Sequence, residues 1–184
     1  MTTFVILLRG INVGATRKAP MADLRELCVE LGLERPQTYI QSGNALVDAT
    51  TSADDVRRSL EAAMPERFGF FADVVVRRAD EWRPLMAANP FDGEADTSAK
   101  MLHVCLAHGP VDKEAAALLA PRAAAGERMR VAAGCLWIDY GASGVGRSKL
   151  TPAAIDKACG APATGRNWNS VGKIADMINA RVGN

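Results

Sequence analysis

The sequence of 184 residues predicts an α+β protein made of two packed ferredoxin-like subdomains and a C-terminal helix. Three observations predict this fold class. Residues 1–78 show the element order β-α-β-β-α-β, a similar order restarts after a polar linker, and an amphipathic helix follows. We expect the first subdomain with its linking helix over residues 1–96 and the second, with the C-terminal helix, over residues 97–184, forming one compact unit. The restart fits an internal duplication and fits coincidence equally well.

The first half begins with the apolar run Phe4–Leu8, which predicts a strand buried on both faces. Apolar residues at helical spacing follow from Met21, and Gly32 is expected to end that helix. Two short strands come next, one on each side of a tight turn at Ser42-Gly43-Asn44.

A second helix is expected to begin at Ser52, which forms the pattern of a capping box with Asp55. Pro65 is expected to break or kink this helix, because proline lacks a backbone N–H. Val74–Val76 then predicts the strand that completes the first unit.

The second half repeats most of this order. Its elements follow from the same apolar periodicities and from turn signals such as Asn89-Pro90. In chain order they are a helix over 80–88, a polar linker over 92–98, a strand over 101–106, a helix over 111–119, strands over 128–132 and 136–140, and a helix over 152–159. No closing strand is predicted. Asn169 is a good candidate for the cap of the last helix, which carries an apolar stripe that starts at Val171.

The composition bounds the classes of function. A formal net charge of +1 argues against nucleic acid covering the whole surface, so any basic site must be local. No basic region precedes the short apolar run at the N terminus, and no run approaches the ~18 apolar residues of a spanning helix. The four cysteines match no zinc-site spacing and are expected to be reduced core residues. We therefore expect a cytoplasmic location, no metal and no membrane partner.

Three segments, residues 9–20, 140–151 and 160–175, lack aspartate and glutamate. One interpretation is that they form anion-binding surfaces, because glycine-bearing loops before helices present N–H groups beside positive charge. The other is that they are solvated loops whose cations meet helix C termini or acids elsewhere. Their cations are Arg9, Arg17, Lys18, Arg147, Lys149, Arg166 and Lys173.

Topology places the first of these segments beside the hairpin turn. A helix joins the first two strands, so these strands run parallel and their C-terminal ends share one edge of the sheet. The loop from Arg9 to Lys18 is therefore expected beside Gln41–Asn44, whose amides could orient a phosphate or a carboxylate. The alternative is that Gln41–Asn44 is only a turn.

The segment Gly141–Ser148 almost matches the P-loop pattern GxxxxGK[ST]. Arg147 replaces the lysine, however, and the helix starts too late, with Thr151 as its cap and Pro152 as its first residue, so a true P-loop is not expected. A general anion nest formed by the same glycines with Arg147, Ser148 and Lys149 stays open.

The segment before the last helix, Arg166–Asn169, has two interpretations. Asn167 and Asn169 compete for the capping position, and Trp168 packs over the helix start. Alternatively, Trp168 stacks on a ring or a base with Arg166 beside it.

Motifs for catalysis are missing from the sequence. It contains no nucleophile elbow, zincin motif or paired-carboxylate motif, so it identifies no reaction and no cofactor, and enzymatic activity stays undetermined. His103 and Cys105 share one face of a predicted strand and are interpreted as core residues.

Six sequence blocks together resemble the signature of the bacterial domain-of-unknown-function 1697 family. They are Leu8–Gly14, Pro20–Leu24, Tyr39–Asn44, Ala88–Phe91, Gly146–Leu150 and Arg166–Asn169. The resemblance covers nearly the whole chain and implies a cytoplasmic α+β protein of about this length. It implies no activity, because the family is uncharacterised.

The hypothesis that we carry forward is an uncharacterised protein that binds a small anionic, phosphate-bearing ligand through its basic, glycine-rich loops. The predicted ligand contacts are Arg9, Asn12, Lys18, Asn44, Arg147, Lys149, Arg166 and Asn167. A nucleic-acid-binding module and a protein-interaction domain without a ligand are the alternatives. The first lacks the strand aromatics that an RNA-binding sheet needs, since only 5% of the residues are aromatic. The oligomeric state is not predicted.

Overall fold

The computed structural model of the chain describes residues 1–14 and 16–182. Within them lie eight strands and six α-helices. The strands are β1 (Thr2–Leu8), β2 (Glu34–Tyr39), β3 (Asn44–Ala49), β4 (Val74–Arg78), β5 (Leu102–Ala107), β6 (Arg128–Ala132), β7 (Cys135–Asp139) and β8 (Ala163–Asn167). The helices are α1 (Met21–Glu30), α2 (Ala53–Phe68), α3 (Trp82–Ala87), α4 (Ala115–Leu119), α5 (Pro152–Cys159) and α6 (Trp168–Val182).

These elements form two compact units. The first unit is Met1–Trp82 together with the C-terminal residues from Met177, and the second is Arg83–Asp176. Each unit contains one four-stranded sheet, with the order β2-β3-β1-β4 in the first and β6-β7-β5-β8 in the second. Neighbouring strands are antiparallel in both sheets. The predicted α+β class is therefore confirmed.

Strand β1 lies at the centre of the first unit. Leu24 of α1 and Leu60 of α2 pack in one apolar core with Ile6 of β1. On the opposite face of the strand Val5 and Leu7 are buried as well, as the continuous apolar run predicted. Because β1 is antiparallel to β3 and β3 is antiparallel to β2, strands β1 and β2 run parallel.

Strand β8 closes the second sheet, so the prediction that the second half lacks a closing strand is wrong. It pairs antiparallel with β5 and completes the order β-α-β-β-α-β in this unit. Its sequence is ATGRN, which has little of the β-branched or aromatic character of a typical strand. Its pairing with the buried β5, and not its own propensity, therefore accounts for its extended conformation.

Helix α2 begins where the sequence predicts and ends later. The Ser52 Oγ accepts a hydrogen bond from the Asp55 N–H at 3.1 Å, and the Asp55 Oδ2 accepts one from the Ser52 N–H at 3.3 Å, which confirms the capping box. The helix continues through Pro65, so the expectation of a break there is wrong. Proline removes one backbone hydrogen bond, and the burial of Leu60 and Met64 keeps the surrounding turns in the core.

The predicted polar linker is bonded to strand β6. All of its residues are described, and they form neither helix nor strand. Arg128 bonds Glu94 at 2.7 Å and also contacts the buried carboxylate of Asp139, while Arg130 bonds Glu94 at 2.5 Å. These ion pairs order a segment that has no regular structure of its own.

The four cysteines are free and buried, as expected. Burial raises the pKa of Cys28 to about 12 and that of Cys159 to about 11, so both are neutral thiols at pH 7.

Among the described residues, no group of three or more His, Cys, Asp or Glu is placed to hold a metal ion. No helix in the same part of the chain has the length and apolar character needed to cross a membrane.

Candidate functional site

Three loops of the first unit meet at the edge of the sheet where β1 ends. We call them the basic edge, and they are the β1–α1 loop (9–20), the β2–β3 turn (40–43) and the α2–β4 loop (69–73). The Leu8 N–H donates to the Gly43 carbonyl at 2.8 Å, and the Arg9 N–H donates to the Asp73 carbonyl at 2.9 Å. The predicted position of the first loop beside the hairpin turn is therefore confirmed.

The Asn12 side chain holds the β1–α1 loop in its conformation. Its Nδ2 donates to the Ala19 carbonyl at 2.9 Å and to the Gln41 carbonyl at 2.7 Å, and its Oδ1 accepts from the Ala19 N–H at 2.9 Å. Asn12 has φ +54°, a left-handed conformation that asparagine tolerates better than most residues. Asn12 therefore shapes the loop, and its contact with a ligand stays a prediction.

The basic edge carries three cations, and Asp73 is the only acid in its sequence. Arg9 forms an ion pair with Asp73 at 3.2 Å. Arg17 donates to the Phe71 carbonyl at 2.9 Å, and its guanidinium carbon lies 5.1 Å from the centre of the Phe70 ring. Lys18 is exposed to solvent. The edge thus presents net positive charge on loops that are bonded to one another.

The hairpin turn packs closely against this loop. A Cβ atom at Gly43, where φ is +76°, would lie 2.8 Å from the Cδ1 atom of Ile11 and 2.9 Å from the Cβ atom of Leu8. Asn44 is buried, and its Nδ2 donates to the Ser42 hydroxyl at 2.9 Å. Glycine is required at this contact, and Asn44 stabilises the turn. A ligand contact of Asn44 stays a prediction.

Large apolar side chains are exposed on all three loops of the basic edge. Val13 is 69% exposed, Ile40 49% and Phe71 51%. Ile40 also has φ +48°, an outlying conformation for a β-branched residue. The sequence pattern did not single out these three residues, because the exposure of an apolar residue in a loop depends on neighbours that only the fold brings to it.

In the second unit, several backbone N–H groups of the β7–α5 loop (140–151) already donate hydrogen bonds within the protein. The Gly141 N–H donates to the Asp139 carboxylate at 3.0 Å, and the Ser148 N–H donates to the Val145 carbonyl at 3.2 Å. These bonds satisfy groups that an anion nest would direct towards its ligand. The helix start is as predicted, since the Thr151 hydroxyl caps α5.

The exposed cations Arg147 and Lys149 lie on this second loop. Ser148 between them donates its hydroxyl hydrogen to the carboxylate of Glu127. Burial raises the pKa of Glu127, but hydrogen bonds from Ser148 and from backbone N–H groups outweigh burial and hold the pKa below its ordinary value. An anionic carboxylate therefore contacts the loop, which makes it a weaker candidate for a ligand anion than the basic edge.

Arg166 points into the protein interior. It lies on β8, is buried, and donates to the Thr164 hydroxyl at 2.7 Å and to the Gly165 carbonyl at 2.9 Å. Burial lowers the pKa of Arg166 to about 10, so the guanidinium still carries its charge at pH 7. The sequence pattern did not reveal this burial, because a lone arginine before a helix is usually solvated.

Asn167 ends β8 and caps α6. Its Oδ1 accepts a hydrogen bond from the Ser170 N–H at 2.9 Å. Asn169 lies inside the helix, so of the two candidates Asn167 is the cap and Asn169 is not. The Trp168 ring lies 5.6 Å from the Trp137 ring, which agrees with the packing interpretation of this tryptophan.

On β5, Cys105 is a core residue and His103 is half-buried. The His103 Nδ1 lies 3.1 Å from the Met101 carbonyl, and the His103 ring packs edge-on against Tyr140 at 5.1 Å. Burial lowers the pKa of His103 and raises that of Cys105. A neutral imidazole and a protonated thiol are thus favoured. Because the thiolate is the nucleophilic form of cysteine, these two residues do not form an activated nucleophile.

Each unit holds four of the eight predicted contact residues. The first unit brings Arg9, Asn12 and Lys18 to the basic edge and places Asn44 next to it, at the start of β3. In the second unit, the other four occupy two places, the β7–α5 loop for Arg147 and Lys149 and strand β8 for Arg166 and Asn167.

Comparison with known proteins shows the family and the fold. A sequence profile described as "Protein of unknown function (DUF1697)" matches residues 1–137. The chain is similar in fold to a conserved bacterial protein, SP0830, from Streptococcus pneumoniae. The TM-score is 0.72 at 21% sequence identity, over 96% of this chain and 98% of that chain. No curated protein matches the sequence.

Proposed function

Because the chain belongs to the DUF1697 family of proteins of unknown function, we propose its function from its own geometry. The basic edge of the first unit binds a small anionic ligand that carries a phosphate group. The observation that carries this proposal is the Asn12 clamp, which orders a cationic loop against the hairpin turn. An ordered basic loop loses less conformational entropy when an anion binds than a solvated loop does.

The residues of the basic edge have different roles in this proposal. Lys18 and Arg17 supply charge to the ligand, since Lys18 is exposed and Arg17 is held by the Phe71 carbonyl. Asn12 and Asn44 fix the backbone of the loop and the turn. Arg9 contributes less charge than the other two cations, because Asp73 already neutralises it.

The second unit contributes a weaker site to the same proposal. Arg147 and Lys149 are exposed there and bind an anion at their loop, against the opposing charge of Glu127. In this proposal Asn167 caps α6. The buried Arg166 guanidinium adds positive charge near this end of β8 without being exposed to solvent. We propose direct ligand contact in this unit for the two exposed cations first.

The test is a titration of the full chain with inorganic phosphate and pyrophosphate at low salt, followed by calorimetry and by thermal unfolding. A ligand present at ten times its Kd stabilises the folded chain by about 1.4 kcal/mol. We expect the Lys18→Glu variant to lose this stabilisation. The matched control is Lys113→Glu, which changes an exposed lysine outside the basic edge and should keep the response.

The proposal fails if the wild-type chain shows no binding heat and no thermal shift with either probe. It also fails if Lys18→Glu and Lys113→Glu respond alike, because binding would then not depend on the basic edge. A loss of binding in Arg147→Glu alone would move the site to the second unit.

Binding of nucleic acid is the second candidate, and the burial of the sheets disfavours it. Sheets that bind single strands expose aromatic residues on one face. Here β1 buries Val5 and Ile6 on opposite faces, β5 buries Val104 and Cys105, and Trp137 is fully buried. Retardation of a short RNA by the chain at low salt, abolished by added salt, would favour this candidate over a small ligand.

We also propose that both units are ferredoxin-like subdomains that arose by an internal duplication. The same element order and the equivalent strand orders β2-β3-β1-β4 and β6-β7-β5-β8 support this proposal.

We propose a cytoplasmic location as well, which the four free cysteines support. Fractionation of the native cells with detection of the untagged chain tests the location.

A further inference from the structure

We infer that the basic edge docks on the surface of a lipid bilayer that contains anionic lipids. This inference rests on the proposed anion binding and names the source of the anion, a lipid headgroup. The contact is peripheral: it requires loops that lie on the membrane, and not a helix that spans it. The expectation of no membrane partner rested on spanning helices alone and does not bear on such a contact.

The first observation is that each of the three loops exposes an apolar side chain, and that the loop carrying the three cations is bonded to the other two. Val13 follows Asn12, which bonds the Gln41 carbonyl next to Ile40. Arg17 bonds the carbonyl of Phe71. One exposed apolar residue from each of three loops therefore sits beside a contact that ties the loops together, and each of these residues is at least 49% exposed.

The second observation is the backbone of Ile40. Its φ is +48°, a conformation that glycine or asparagine would adopt with less strain, and its side chain is half exposed. The side chain therefore exposes about half of its surface to solvent instead of burying it in the core. Strained backbone conformations of this kind cluster at positions that contact ligands or partners.

The third observation is charge complementarity. Arg17 and Lys18 lie on the same loop as Val13, Arg17 bonds the Phe71 carbonyl, and the only acid in the sequence of the edge, Asp73, is paired with Arg9. A surface of this kind is attracted to anionic headgroups while its apolar residues enter the boundary of the acyl chains. A bilayer accommodates separate side chains on loop tips, whereas a folded protein partner must offer a matching pocket for each. The observations therefore favour the bilayer over an acidic protein.

The experiment is co-sedimentation of the full chain with vesicles of phosphatidylcholine alone and of phosphatidylcholine mixed with phosphatidylglycerol. We expect binding to the anionic vesicles only, and weaker binding at high salt. Removing the charge of Lys18 by Lys18→Ala should weaken binding about five-fold, and Phe71→Ser should weaken it about ten-fold.

Two matched variants separate the contact from the fold. Val13→Ser should weaken vesicle binding, whereas Val29→Ser, which changes a valine of α1 that is 61% exposed, should not. Ile40→Gly removes the side chain and relieves the left-handed strain. We expect it to weaken vesicle binding while its Tm stays equal to that of the wild type or rises, so unfolding would not explain the loss.

The outcomes distinguish this inference from the proposed function. If phosphate binds but the chain does not sediment with anionic vesicles, or if Val13→Ser and Val29→Ser behave alike, the bilayer contact is refuted and anion binding stands. If neither phosphate nor vesicles bind, both fail. Binding to soluble polyglutamate that depends on Phe71, without vesicle binding, would assign the edge to an acidic protein instead.

Discussion

Replacing Arg181 by alanine should destabilise the first unit far more than replacing a surface arginine. The Arg181 side chain is 3% exposed and bonds the carboxylate of Asp48, itself 6% exposed, at 3.1 Å. Thr3 and Arg35 also donate to this carboxylate, each at 2.6 Å. Removing one partner of a buried ion pair leaves the other charge desolvated, which typically costs 3–5 kcal/mol. Because Asp48 keeps two other donors, we expect about 3 kcal/mol for Arg181→Ala.

The assay is urea unfolding of the full chain, followed by circular dichroism. A loss of about 3 kcal/mol should lower the urea midpoint by about 1 M or more. The control is Arg58→Ala on α2. Arg58 pairs with Asp54 and Asp55 but is 61% exposed, and exposed pairs of this kind contribute about 0–1 kcal/mol.

A double-mutant cycle then isolates the pair. We expect the effects of Asp48→Ala and Arg181→Ala to be non-additive by about 1–3 kcal/mol, since the two side chains are in contact. The reasoning is refuted if Arg181→Ala and Arg58→Ala have the same urea midpoint. It is refuted equally if the effects of the two single variants are additive, because the two side chains would then contribute to the free energy of unfolding independently.

Three further predictions follow from particular contacts. Burial raises the pKa of Asp48, but hydrogen bonds from Thr3 and Arg35 and the charge of Arg181 lower it below its ordinary value. Its contribution to stability is therefore present above the unfolded pKa of about 3.9 and lost as pH falls through the folded pKa, so Asp48→Asn should flatten the acid side of the urea-midpoint profile. Asn12→Ala should speed hydrogen exchange in the β1–α1 loop and weaken phosphate binding without removing a charge. Asn12→Gly keeps the left-handed backbone and should have the same two effects, which would show that the side chain is responsible. Unchanged hydrogen exchange in both variants would contradict the clamp. Gly43→Ala should cost about 1–3 kcal/mol more than Gly10→Ala, because both have positive φ but only Gly43 has atoms within 3 Å of the added Cβ; equal thermal shifts would contradict this contact.

Much of the fold could be predicted from short stretches of sequence. The β1 strand, the Ser52 capping box and the Thr151 cap depend on residues within a few positions of each other, so the pattern alone was sufficient. The position of the Arg9–Lys18 loop beside the hairpin could also be predicted. It follows from the parallel direction of β1 and β2, which a helical crossover imposes.

The errors arose where distant residues decided the outcome. Strand β8 has weak strand propensity and depends on its pairing with β5, about 60 residues earlier in the sequence. Helix α2 continues through Pro65 because its buried face is packed against the sheet. The choice between Asn167 and Asn169 as the cap was likewise settled by where β8 ends.

The sequence by itself determined the order of the elements other than strand β8, and which loops carry cations without acids. Only the tertiary structure decided which of these cations are available: Lys18 is exposed, Arg9 is paired with Asp73, and Arg166 is buried. The structure also revealed the apolar side chains of Val13, Ile40 and Phe71 on the same edge. The physical reason is range: helix caps and strand periodicity act between neighbours in the chain, whereas burial and charge pairing depend on residues brought together by folding.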